Sequence, residues 1–207
     1  MRLQAVLVPI LLAATSCAAI ASPPKLSDGD IVFQASRSDQ SDAIRRATGS
    51  PYTHMGLIFL EQGKPLVLEA VGPVKWTALD EWIQRGVGRR YVVKRLADPS
   101  PLISPGGAGR LRAAADRFRG RPYDFYFEWS DKRIYCSELV WKAYRNPFGI
   151  QIGALERLRD FNLRDSVVAA NLKERYGEAI PRDEIVISPA SMFHSDKLRT
   201  VYKGRSQ

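Results

Sequence analysis

Residues 52–71 read Tyr52-Thr53-His54-Met55-Gly56-Leu57-Ile58-Phe59-Leu60-Glu61-Gln62-Gly63-Lys64-Pro65-Leu66-Val67-Leu68-Glu69-Ala70-Val71. Two apolar runs, Met55 to Leu60 and Leu66 to Val71, flank a polar break that contains Gly63 and Pro65. Runs of this length, separated by a glycine-containing loop, predict two antiparallel strands joined as a hairpin. Two residues stand out from the apolar pattern: His54 at the head of the first strand and Glu69 inside the second. With Gly56 opposite Glu69, they become diagonal neighbours on one face, about 7–8 Å apart at the backbone. A slip of one residue puts them on opposite faces. The sequence leaves both registers open. It also leaves open whether Glu69 is a partnered buried carboxylate or one that faces water on an edge strand.

Outward from this hairpin, Asp28-Gly29-Asp30 predicts a turn that leads into a strand at Ile31 to Gln34. Ser38 to Thr48 reads as a helix with a serine cap and Gly49 at its end. On the other side, a short helix at Leu79 to Gln84 and a strand at Tyr91 to Leu96 follow. Residues 98–107, rich in Pro, Ser and Gly, predict a loop within the domain. Helices are expected at Gly109 to Phe118, Ile134 to Tyr144 and Asn162 to Tyr176, and a short strand at Ile185 to Ile187. The order is mixed α+β, with an antiparallel sheet packed against helices.

The chain has 207 residues, 45% of them hydrophobic, and a formal charge of +9. That composition suits one folded domain, over 28–207. The positive balance favours anionic partners such as lipid headgroups or acidic cell-wall polymers, although scattered basic residues are equally a solvated surface. Met1-Arg2, an apolar stretch from Val6 to Ala14 and Ala19-Ile20-Ala21 have the form of a secretory signal peptide over 1–21. A linker over 22–27 follows. Cleavage after Ala21 and a periplasmic or cell-envelope location are expected. The alternative is a lipoprotein with Cys17 as its lipidated N-terminus.

Removal of the leader leaves Cys136 as the sole thiol, and a lone cysteine in an oxidising compartment is a candidate reactive group. Its surroundings are Ile134-Tyr135-Cys136-Ser137-Glu138-Leu139-Val140-Trp141-Lys142-Ala143-Tyr144. Leu139, Val140, Ala143 and Tyr144 share a helical face with it. At the start of a helix, free N–H groups and the positive dipole end favour a thiolate and can hold an oxyanion. Ser137 and Tyr135 flank that position. A buried cysteine that only opens a core helix fits the pattern as well. The chain has two histidines. His54, on a strand, is the better base, whereas His194 lies in a polar C-terminal stretch. Glu69 is the acid that can orient His54.

Other chemistries find little support. No H-E-x-x-H or C-x-x-C spacing suggests a metal site, so none is expected. There is no G-x-S-x-G and no phosphate-binding glycine loop. Nothing points to nucleic acid, because basic and aromatic residues do not interleave. The aromatic run Tyr123 to Trp129 either lines a substrate groove or packs a helix ahead of Cys136.

Four segments in order, Gly29 to Gln34, Tyr52 to Gly56, Leu68 to Ala70 and Tyr135 to Val140, resemble the YiiX/YebB-like family. That family consists of permuted papain-like amidases within the NlpC-type cysteine peptidase superfamily. A weaker echo occurs at Ile187 to Ala190. The resemblance implies a circularly permuted papain-like fold in which histidine and acid precede the cysteine. It implies Cys136 as nucleophile, His54 as base, Glu69 as orienting acid and no cofactor. The expected reaction is hydrolysis of an amide, ester or thioester in a lipid, peptide or cell-wall substrate. A non-catalytic envelope module that binds anionic lipid or polymer is the alternative.

Overall fold

A computed structural model describes residues 25–205. The expected signal peptide, Cys17 and the first half of the linker lie outside the described residues. The hairpin forms as β2 (His54–Glu61) and β3 (Lys64–Glu69), with Leu57 opposite Leu68 and Glu61 opposite Lys64. Continued by one position, this register sets Gly56 opposite Glu69. With β1 (Asp30–Gln34), β4 (Lys75–Ala78), β5 (Arg90–Leu96) and β8 (Leu198–Arg205), the hairpin belongs to a six-stranded sheet. The strand order is β4-β3-β2-β1-β5-β8, and every neighbouring pair is antiparallel.

The central strands are apolar on both faces because both faces are covered. On one side Ile31, Phe33, Met55, Leu57 and Leu68 pack with Leu111 of α4 (Gly107–Asp116) and with Leu139, Val140 and Tyr144 of α5 (Cys136–Phe148). On the other, Val32, Ile58, Val67 and Val93 pack with Leu79, Trp82 and Ile83 of α2 (Leu79–Gln84). The edge strands β4 and β8, short or lysine- and arginine-bearing, were not expected from the sequence. Their polar residues are what an exposed edge calls for.

Around this core lie α1 (Asp39–Thr48), α6 (Ser166–Tyr176), a two-stranded ribbon of β6 (Glu156–Arg157) and β7 (Ile185–Val186), and α7 (Pro189–Phe193). Some expected boundaries move. The loop at 98–107 contains the one-turn α3 (Ser100–Ile103), whose proline sits in the first turn, where its missing N–H is not needed. The helix expected from Asn162 starts at Ser166, because Asp165 accepts from the N–H groups of Val167 and Val168 and so fixes the N-terminus there. No helix forms over residues 123–135. Instead Tyr123 bridges to Ile134 and the aromatic run lies along α5, with Phe127 edge-on to Tyr135 and Trp129 edge-on to Trp141. With that cover, α5 is buried all round from Cys136 to Tyr144, not on a single face.

Candidate active site

His54 opens β2 and is 7% exposed. Its ring stacks on the fully buried Trp82 of α2, at 5.7 Å between centroids and 25° between planes. Nε2 lies 2.7 Å from Oε2 of Glu69, the last residue of β3. Glu69 is fully buried. Its second oxygen, Oε1, accepts from Thr77 Oγ1 at 2.7 Å and from the Arg85 guanidinium. Donors on both oxygens leave the carboxylate little freedom to rotate, so it fixes the imidazole plane. Burial works to raise the Glu69 pKa, but the hydrogen bond and charge of His54, with Thr77 and Arg85, outweigh it. The carboxyl is held below its ordinary range.

Cys136 is the first residue of α5 and is 3% exposed. Tyr135 before it is extended, with φ −104° and ψ 169°. The first helical bond nearby runs from Leu139 N–H to the Tyr135 carbonyl at 3.0 Å. The N–H groups of Cys136, Ser137 and Glu138 therefore have no intrahelical acceptor and crowd the sulfur end of the helix. Cys136 is near enough to the His54 ring to act on its proton, favouring the charged imidazole. Since Nε2 is engaged by Glu69, Nδ1 is the nitrogen left for the sulfur. Burial works against a charged His54, but Cys136 and Glu69, through hydrogen bonds and charge, prevail and push the imidazole up to about 9.

His54 and Glu69 are thus in direct contact, and Cys136 lies near the same ring. The hydroxyls of Ser137 and Tyr135 have a different task. Ser137 Oγ donates to the Ile187 carbonyl at 2.7 Å, and the Tyr135 hydroxyl accepts the Ile187 N–H at 3.1 Å. They fasten the head of α5 to the 187 segment, and what they offer the sulfur is backbone. His194 is exposed at the end of α7 and does not join the site.

One residue near the sulfur was hidden in the aromatic run. The Tyr123 hydroxyl accepts from Gln40 Nε2 at 2.8 Å, which leaves its own O–H free to donate elsewhere. Tyr123 borders both the cavity that holds Cys136 and the cleft that holds His54. Burial, reinforced by the charge of Cys136, raises its phenol pKa. In sequence it looks like packing, since six further aromatic or acidic residues surround it in 123–129.

Histidine and acid on adjacent strands, with a cysteine at the head of a later helix, are the papain arrangement in permuted order. Residues 25–202 match the family of permuted papain-like amidase enzymes, YaeF/YiiX, C92. The chain belongs to this C92 family. It is 47% identical over 175 residues to the uncharacterized protein YiiX of Escherichia coli (strain K12), covering 84% of this chain and 85% of that protein. It is also similar to the crystal structure of metalloprotein yiiX from Escherichia coli O157:H7, DUF1105. The TM-score is 0.81 at 45% identity, with 87% of this chain and 98% of that chain covered. The C92 fold is the permuted papain-like fold expected from the motifs. Among the described residues no three His, Cys, Asp or Glu side chains gather as a ligand set, and both Glu69 oxygens are already engaged. The side chains of the described residues do not fit a resident metal.

Proposed function

We propose that this C92 chain is an exported cysteine hydrolase in which Cys136 is the nucleophile, His54 the acid and base, and Glu69 the group that orients His54. The observation that carries this reading is the 2.7 Å contact between His54 Nε2 and a Glu69 carboxylate that is itself immobilised, with Cys136 near enough to act on the same ring. A histidine pushed up to about 9 keeps its proton at neutral pH, and so has one to give to a leaving group.

The chemistry follows from these positions. The Cys136 sulfur attacks the carbonyl carbon of an amide, ester or thioester, and the oxyanion that forms is held by N–H groups at the head of α5 and by the free Tyr123 O–H. The bond to the leaving group breaks as His54 gives that group its proton. Water then attacks the thioester on Cys136 while His54 takes a proton from it, which releases the acid and restores the thiolate.

The test is alkylation with iodoacetamide, followed by activity of Cys136→Ala. Cys136 should label faster than a model thiol at mildly acidic pH, and the variant should be inactive. Ordinary labelling together with an active variant would overturn the reading. Export, supported by the leader sequence, is checked by mass spectrometry of the mature N-terminus, which also separates cleavage after Ala21 from lipidation at Cys17.

A second reading is association with anionic lipid or polymer. It draws on the +9 charge and on Phe125 and Tyr126, exposed at 55% and 42% in the loop beside the His54 cleft. Sedimentation with vesicles at low salt tests it: binding indifferent to anionic lipid content sinks it.

A further inference from the structure

We infer that the substrate is a small amphiphile, an amide or ester whose acyl group is a short apolar chain and whose leaving group carries an anion. The inference rests on the Cys136–His54 hydrolase reading and deepens it.

Two concavities meet at the site, and the two reacting side chains divide between them. Cys136 borders a small cavity of about 100 Å³, and His54 borders a larger cleft of about 750 Å³. Cys136 does not line the cleft, and His54 does not line the cavity. Gln40, Ile44 and Tyr123 border both and form the wall between them. In thiol hydrolysis the acyl group stays on sulfur while the leaving group departs with the proton of the histidine. The acyl group therefore belongs in the cavity and the leaving group in the cleft.

The cavity wall comes from α1, α6 and the segments around β6 and β7, with Ala47, Leu158, Phe161, Val168 and Leu172 among its residues. Several of its polar members are occupied within the protein. Ser137 bonds the Ile187 carbonyl, Ser188 bonds Glu156 and Asn171 bonds the Val167 carbonyl. Arg175, which lies over the Phe127 ring, and the Tyr123 O–H remain polar, and the rest of the lining is mainly apolar. An engineered apolar cavity of about 150 Å³ holds benzene, so a cavity two-thirds that size suits a chain of roughly four to six carbons.

The cleft has the opposite character. Arg37 and Arg85 line it with Ser36, Ser38 and Ser41, and no Asp or Glu is among its lining residues. Arg37 is exposed, and no ion pair holds it among the described residues. Arg85 gives Glu69 one of its five donors, its side chain is 38% exposed, and its Nε has no partner. Arg37 has no facing acid, and Arg85, paired to Glu69 through one nitrogen, keeps further donors, so together they favour a carboxylate or phosphate.

The test uses N-acyl-glutamates from acetyl to dodecanoyl, each beside the uncharged N-acyl-propylamine, with turnover and the acyl-Cys136 adduct both followed by mass spectrometry. Alkyl methanethiosulfonates of the same chain lengths, which disulfide-link Cys136 and release methanesulfinate, read the cavity without requiring hydrolysis. Butanoyl to hexanoyl should be best in both series, about ten-fold above acetyl for two extra buried methylenes, with a fall of similar size by dodecanoyl. Glutamates should exceed the propylamides about ten-fold, and Arg37→Gln should narrow that gap. Val168→Phe, checked for folding by its melting temperature, should move the optimum to shorter chains, and Leu172→Ala to longer ones. Flat or long-chain preference in both series overturns the acyl assignment, and equal rates for glutamates and propylamides overturn the anion assignment. If no acyl-Cys136 forms although the thiosulfonates label with the expected chain-length optimum, the cavity stands and the hydrolase reading fails.

Discussion

His54 Nε2 and Glu69 Oε2 stand 2.7 Å apart because the hairpin holds Gly56 opposite Glu69. A Cβ on Gly56 would lie 2.5 Å from Val67 Cγ1 and 2.9 Å from the Leu68 carbonyl oxygen. The second contact is backbone and cannot swing aside. Gly56→Ala should therefore push β2 from β3, at about 1–3 kcal/mol of stability, and part the pair that shares this corner of the sheet. Urea unfolding and kcat/KM should both fall. A variant with unchanged values would show that the close approach does not set the register.

Glu69→Gln keeps the size of the side chain and removes its charge. Its amide can still accept from Thr77 and Arg85, but it then presents N–H to His54 Nε2 and reverses the tautomer that leaves Nδ1 ready for the sulfur. We expect kcat to drop about 10²–10⁴-fold, the range over which an acid–base group contributes, with circular dichroism unchanged. Glu69→Ala should also destabilise by about 3 kcal/mol, because it strands a buried charge network.

Tyr123→Phe deletes the free O–H while keeping the ring against Phe125, which it meets edge-on at 4.9 Å. Loss of one oxyanion donor costs about 10²–10³ in kcat. The prediction is a fall in kcat with KM little changed. An equal fall in affinity alone would assign the hydroxyl to substrate binding.

His54 holds its proton up to about 9, against an ordinary 6.5. A folded-state pKa raised in this way gives stabilisation that is complete below pH 6.5 and lost as pH rises through about 9. The melting temperature of the wild type should accordingly fall more steeply between about pH 7 and 10 than that of His54→Gln. Parallel curves would mean that the imidazole does not hold its proton into that range.

The hairpin could be read from sequence because both faces of β2 and β3 are covered, which writes unbroken apolar runs with His54 and Glu69 as exceptions. Edge strands β4 and β8 could not, since exposed edges are polar for their own reasons. The supports of Glu69 were hidden as well. Thr77 and Arg85 reach it only once β4 pairs with β3 and α2 packs behind, and nothing in their local sequence marks them. The same holds for the acyl cavity, whose walls come from residues as distant as Ala47 and Leu172 and acquire meaning only when α1 and α6 meet.

Glu138 poses a last question of charge, two residues after Cys136 on the same helix. It is fully buried, and Lys142 Nζ lies 2.8 Å from Oε1 while also bonding Asp131 at 2.6 Å and the Ser130 carbonyl at 2.9 Å. Burial pushes the carboxyl up, and the hydrogen bond and charge of Lys142 with the Tyr135 N–H pull it only part of the way back, to about 8. Because this pKa is raised above the ordinary 4.5, its contribution is fully present below pH 4.5 and is lost as pH rises through about 8. Glu138→Gln cannot ionise, so its melting temperature should decline less than that of the wild type between pH 5 and 9. His54 destabilises both proteins alike in the alkaline half of that window, and the difference between the two curves isolates Glu138. Parallel curves would mean that Lys142 compensates the buried carboxylate completely, and that the head of the Cys136 helix rests on a stable ion pair instead of a carboxyl that titrates.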